Sequence, residues 1–284
     1  MPIRNPSSFN RGLPSLTTHM ATRSFRGCLF EECSPSAAAT SSGRVLSNHM
    51  CIFPIMLDSV THLTFDCYGT LIDWEQGILT ALEPLLANAR LRPAPQTILR
   101  SFAKHEAREE LATWKPYRQV LAAVLSAMAA EFDLSLLAKE PGLLADTLPM
   151  WPPFPDTVDA LQRLSKRFRL AIVSNTDDAL FAETKKQLKA RFDAVVTAEQ
   201  VKSYKPGKAH FDEVLRRLEV PASNVLHVAQ SLYHDHVPAQ QLGFRTVWIN
   251  RPSLLAGTGL APRADIRPDL IFPQLSALAD FLNC

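Results

Sequence analysis

From Thr61 the chain reads Thr-His-Leu-Thr-Phe-Asp, a short β-prone stretch that ends in a carboxylate at Asp66 and meets a turn at Gly69. The period then changes. Leu and Ala dominate residues 75–155, where Ile78, Leu79, Leu82, Leu85 and Leu86 recur at helical spacing, as do Val120, Leu121, Val124 and Leu125. Such spacing predicts a small helical module. Trp151-Pro152-Pro153-Phe154-Pro155 closes it, because successive prolines cannot continue a helix.

Beyond that hinge the pattern becomes regular. Asp156 is expected to cap a helix that buries Val158, Leu161 and Leu164, with Asp159 at the capping-box position. Strands are predicted at 170–173, 194–196, 224–228 and 246–249, helices at 177–190 and 208–218, and a loop and helix through Leu242. Alternation of this kind predicts an α/β fold, a parallel sheet with helices on both faces. Ligand chemistry in such folds gathers at the carboxyl ends of the strands.

Composition and charge change the picture at one end only. Of 284 residues 46% are hydrophobic and 20% charged, which suits a folded chain, and no apolar run approaches the ~20 residues that span a bilayer. The net charge of +2 is unevenly spread. Residues 1–55 hold five arginines, no lysine and two acids, which leaves 25 basic and 26 acidic residues for the rest. The basic character belongs to a leader, so neither a nucleic-acid nor a membrane partner is expected of the body. This leader, taken as residues 1–60, is rich in Ser and Thr and has no sustained hydrophobic period. Three readings stay open: an organellar, mitochondrial-type transit peptide, an untargeted disordered extension, or a start of translation near Met56. Five scattered cysteines without a C-x-x-C pair imply neither a disulfide framework nor a zinc site. A reducing, cytoplasmic compartment is the simpler expectation.

Candidate chemistry falls at the expected strand ends. Asp66 ends the first strand, Ser174 and Asn175 end the second, Lys205 follows the third and Asp235 follows the fourth. A lysine beside Asp66 would hold it ionised and oriented, as a nucleophilic carboxylate requires. A Ser-His-Asp relay among Ser231, His234, His236 and Asp235 is not expected, since His234 adjoins Asp235 in sequence, and His227 is expected to face neighbouring strands.

Phe65-Asp66-Cys67-Tyr68-Gly69-Thr70-Leu71, Val173-Ser174-Asn175, Tyr204-Lys205-Pro206 and the segment 228–235 resemble, in order, the four motifs of the haloacid dehalogenase superfamily. Within it the likeness is to the type II, or (S)-2-haloacid, dehalogenases, and Val247-Trp248-Ile249-Asn250-Arg251 agrees with that branch. The resemblance implies a Rossmann-like core over 61–74 and 156–284 with an inserted helical cap over 75–155. It implies a hydrolase that needs no metal or other cofactor, acts on a small-molecule substrate and leaves a homodimer open. Asp66, Lys205 and Asp235 would be catalytic; Thr70, Ser174, Asn175 and a cap arginine, Arg108, would bind substrate.

Several positions depart from the pattern. Tyr68 and Gln230 stand where phosphatases of the superfamily keep a general acid and a magnesium-binding acid. Glu106 stands where the dehalogenases keep a halide-receiving arginine, with Arg108 and Arg118 as the nearby alternatives, and Phe211 replaces an aromatic hydroxyl. Gln230 and Leu232 replace a serine and an asparagine. These losses also admit a superfamily hydrolase of another small substrate, or a catalytically silent binding protein.

Overall fold

The computed structural model describes residues 57–87, 92–136, 140–255 and 264–284. The expected leader therefore lies outside the described residues as far as residue 56, and Cys28, Cys33 and Cys51 lie there with it. Among the described residues no helix is long and apolar enough to cross a membrane.

Six strands form one parallel sheet: β1 (His62–Phe65), β2 (Arg169–Ser174), β3 (Ala194–Thr197), β4 (Val225–Ala229), β5 (Arg245–Ile249) and β6 (Leu270–Phe272). Their order across the sheet is β3-β2-β1-β4-β5-β6. The chain thus builds outward from β1 to one side and then returns to build outward to the other. The carboxyl ends of β1 and β4 flank the point of reversal, where a crevice opens in sheets of this kind.

Both faces of the sheet are covered, which is why its strands read as nearly unbroken apolar runs. Ala171 and Val173 pack on one face with Phe211, Val214 and Leu218 of the helix Ala209–Leu218; Leu170 and Ile172 point to the other face, toward Leu161, Leu164 and Phe181. Those last three come from α5 (Thr157–Leu164) and α6 (Asp178–Leu188), whose buried residues recur at the three- and four-residue spacing of a one-sided helix.

Between β1 and α5 the described residues form four α-helices: α1 (Trp74–Leu86), α2 (Pro95–Glu110), α3 (Tyr117–Glu131) and the short α4 (Leu143–Thr147). Gly77 in α1 is required by packing, since a Cβ there would lie 2.2 Å from the Trp151 ring. The two crossings between sheet and insert run side by side. Phe154 N–H donates to Leu71 O at 3.0 Å, and Asp73 N–H to Pro152 O at 2.8 Å.

The expected cap Asp156, and Asp177 at the start of the next helix, work differently. Asp156 and Asp177 do stand at helix N-caps, yet neither carboxylate caps its own helix. Asp156 accepts from Arg251 Nη1 at 2.6 Å and from Ser276 N–H at 3.0 Å. Asp177 accepts from the backbone N–H groups of Tyr117 and Arg118, at 2.7 and 2.8 Å, and so caps α3 of the insert. A tertiary partner outcompetes the local one in both cases.

Candidate active site

Asp66 emerges one residue beyond β1 and is 8% exposed. Lys205, reached after β3, is 2% exposed, and Asp235, in the one-turn π-helix Leu232–His236 after β4, is 1% exposed. An ammonium has three protons to donate. Lys205 Nζ spends them on Asp66 Oδ1 at 2.8 Å, Asp235 Oδ1 at 2.6 Å and the Val173 carbonyl at 3.0 Å. Such an arrangement meets the demand that buried charges be paired and hydrogen-bonded.

The protonation states follow from it. Burial would lower the Lys205 pKa, but Asp235 and Asp66 outweigh burial and raise it above the ordinary lysine range. Burial would raise Asp235, yet Lys205 and His227 hold it below the usual carboxylate range. Asp66 is left with a raised pKa, chiefly through burial, against the pull of Lys205.

Each carboxylate is also fixed from a second side. Thr70 Oγ1 donates to Asp66 Oδ2 at 2.8 Å and accepts from Gln230 N–H at 2.9 Å. The Thr70 carbonyl in turn accepts from Arg251 Nε at 3.1 Å. His227 lies in β4 in register with Thr64 of β1. Its Nδ1 is 2.9 Å from Thr64 Oγ1 and its Nε2 is 3.1 Å from Asp235 Oδ1. With Oδ1 shared between His227 and Lys205, Asp235 keeps Oδ2 for a further partner. The ring of Phe211, 5.1 Å from that of His227, packs edge-on behind it rather than lining the cavity.

Asn175 braces the lysine from its own backbone: Asn175 Oδ1 accepts from Lys205 N–H at 2.7 Å, and Nδ2 donates to Lys205 O at 3.3 Å. Ser174 is 1% exposed, and its Oγ has no hydrogen-bond partner among the described residues. Of the residues expected at the site, Asp66, Lys205, Asp235, Ser174 and Asn175 line one cavity of about 90 Å³, while Thr70 supports it from below.

Arg108 is not among them. The cavity face of α2 carries Ala103, Glu106, Ala107 and Glu110, and Arg108 is exposed to solvent. Helical geometry gives the reason, since positions i, i+3, i+4 and i+7 share a face and i+5 does not. Arg118 is exposed as well and pairs with Asp146. Carboxylates therefore face Asp66 where an arginine was expected. Glu106 Oε1 accepts from Tyr117 Oη at 2.5 Å, and Glu110 Oε1 lies 3.3 Å from Asn175 Nδ2. Removal from water pushes the Glu106 pKa up to about 7. Burial, and then the neighbouring Glu106 charge, drive Glu110 well above the carboxylate range.

Sequence reasoning placed His227 toward the neighbouring strands without giving it a role at the site, and did not single out Glu110. A histidine inside an apolar strand, and an acid one turn beyond Glu106, were the available signals.

A divalent ion does not fit this set of donors. The Lys205 ammonium already occupies the place between Asp66 and Asp235, and Tyr68 turns its hydroxyl to Thr184 Oγ1 at 2.9 Å. Among the described residues no group of three or more His, Cys, Asp or Glu could hold a metal.

Comparison with known proteins agrees with the fold and the motif order. The family of haloacid dehalogenase-like hydrolases matches residues 63–249. The (S)-2-haloacid dehalogenase of Pseudomonas putida is 25% identical over 237 residues, covering 80% of this chain and 98% of that protein. That of Pseudomonas sp. strain YL is 27% identical over 207 residues, 69% of this chain and 84% of that one. Among solved structures, the L-2-haloacid dehalogenase of Xanthobacter autotrophicus with chloropropionic acid covalently bound superposes with a TM-score of 0.67 at 20% identity. It covers 79% of this chain and 98% of its own.

Proposed function

The chain belongs to the haloacid dehalogenase-like hydrolases, and from that premise we propose that it hydrolyses the carbon–halogen bond of a small substrate through Asp66, without a metal ion. Small 2-haloacids, which give the relatives their names, are the reference substrates.

In the first step an Asp66 carboxylate oxygen attacks the carbon that bears the halogen. A carbon–oxygen bond forms, the carbon–halogen bond breaks, and halide leaves with the electron pair. Lys205 opposes the burial that raises the Asp66 pKa and so favours the ionised nucleophile, and Thr70 aims the carboxylate. In the second step water attacks the carbonyl carbon of the resulting aspartyl ester and gives its proton to Asp235. The departing alkoxide takes that proton back from Asp235 and leaves as the alcohol, the second proton of the water passes to solvent, and Asp66 retains an oxygen from water. Asp235 suits this role because Oδ1 is held by Lys205 and His227 while Oδ2 is left to meet the water. Ser174 Oγ, in the wall of the same cavity and without a partner among the described residues, is a donor available to substrate or halide.

The observation that carries the reading is the saturated Lys205 bridge between two buried carboxylates at the reversal point of the sheet. The test is halide release from (S)-2-chloropropionate and other short haloalkyl compounds in the presence of a chelator. Release that disappears in Asp66→Asn is the expected result; no release from any of them overturns the proposal.

A further inference from the structure

The wall opposite the nucleophile indicates what accompanies the halogen. Four carboxyl groups, Asp66, Asp235, Glu106 and Glu110, line the cavity with one lysine. That lysine has no donor left for a substrate, because all three of its protons are already spent. His234 also lines the cavity, but burial lowers its pKa to about 4, so it is neutral near pH 7. A substrate carboxylate would therefore find no available cation among the described lining residues, and two acids whose ionised forms burial already disfavours.

Positive charge meets the opposite reception. Glu106 and Glu110 stand one turn apart on the cavity face of α2, and among the described residues neither forms an ion pair. Trp74 and Tyr117 line the same space, and aromatic faces attract ammonium groups. Ser174 Oγ, buried and unpartnered, adds an independent sign that a ligand is meant to complete the site.

We infer that the cavity above Asp66 takes a small substrate bearing an ammonium group, held by Glu106 and Glu110 against Trp74 and Tyr117, in place of the carboxylate of a haloacid. Burial disfavours the ionised forms of Glu106 and Glu110 in the empty cavity, and a bound ammonium would favour them as the cation the helical wall lacks, while the halogen-bearing carbon at the other end of a short alkyl chain meets Asp66. This substrate class rests on the Asp66 reading for turnover, though not for binding. The reaction balances as before: haloalkylammonium and water give hydroxyalkylammonium, halide and a proton.

Binding and turnover are measured separately so that the two readings fail separately. Calorimetric titration of the full chain with n-propylammonium and with propionate tests recognition without chemistry. We expect propylammonium to bind at least ten times more tightly than propionate, and the Glu106→Gln/Glu110→Gln double variant to lose at least tenfold of that affinity. Halide release is then compared for 3-chloropropylammonium and (S)-2-chloropropionate, with Asp66→Asn giving the uncatalysed background. A kcat/KM at least tenfold higher for the ammonium compound, narrowed in the double variant, supports the inference. Tighter binding of propionate, or a double variant that binds propylammonium as wild type does, overturns it while leaving Asp66 chemistry intact. Ammonium binding without halide release from either compound would overturn the Asp66 reading and keep the ligand class. Both glutamines are near-isosteric and lessen charge burial, and an unchanged thermal midpoint verifies that the variant is folded.

Discussion

On the floor of the cavity Lys205 stands between Asp66 and Asp235, and every charge there has a partner of opposite sign. On the wall above, Glu106 and Glu110 face the same space with hydrogen bonds from Tyr117 and Asn175 but no cation. The floor comes from strand ends, whose positions the sheet fixes. The wall comes from one face of one helix, where each residue is free to vary without disturbing the sheet. The difference teaches that such a fold can keep its reaction centre and change what it recognises. An isolated pair of half-buried acids costs stability, and a site retains that cost most readily when a ligand relieves it.

Breaking the floor has the largest expected effect. Lys205→Met leaves two buried carboxylates uncompensated and should cost about 3–5 kcal/mol in urea unfolding, as for removal of one member of a buried pair. Turnover should fall with it, since Asp66 would then stay protonated. A Lys205→Met chain as stable as wild type would mean that the carboxylates do not depend on the lysine.

Next in size is the brace behind Asp235. His227→Phe removes the donor to Oδ1 but leaves nucleophile and lysine in place, so ester formation should persist while ester hydrolysis slows by about tenfold to a hundredfold. Intact-mass measurement after rapid quenching should show the ester accumulate. Equal slowing of both steps would remove His227 from the second one.

The wall is read through pH. Glu106 titrates near the ordinary carboxylate value of 4.5 when unfolded and at about 7 when folded. Between those values the folded chain holds a proton that the unfolded chain has lost, so stability falls as pH rises through that window. Glu106→Gln should flatten the fall, measured by denaturant unfolding at pH 5 and pH 8. An unchanged slope would contradict the burial of this acid. The smallest effect belongs to Arg108→Ala, whose side chain is in solvent, and kcat/KM should stay within about twofold of wild type.

Much of the floor was legible in the sequence because each of its members follows a strand that hydrophobic runs announce. The parallel sheet, the helical insertion and the boundaries of β2, β3, β4 and β5 followed from the same runs to within about one residue. The edge strand β6 and the helix Leu275–Phe281 after it did not, since three residues of Leu-Ile-Phe carry no period to read. Partners distant in sequence were the other loss. Nothing near Asp177 tells that it caps a helix 60 positions away, and nothing near His227 tells that Asp235 will fold back onto it. Arg108 illustrates a third case. Sequence proximity to Glu106 suggested a substitute, whereas the helical turn decides which side chains face inward.

Isotope transfer distinguishes Asp66 as the nucleophile from direct attack by water. In water enriched in heavy oxygen, with enzyme in excess over 3-chloropropylammonium or (S)-2-chloropropionate, the first turnover should leave the label in the peptide containing Asp66 and give unlabelled alcohol. Label in the alcohol with none in Asp66, or no alcohol from either compound, would contradict it.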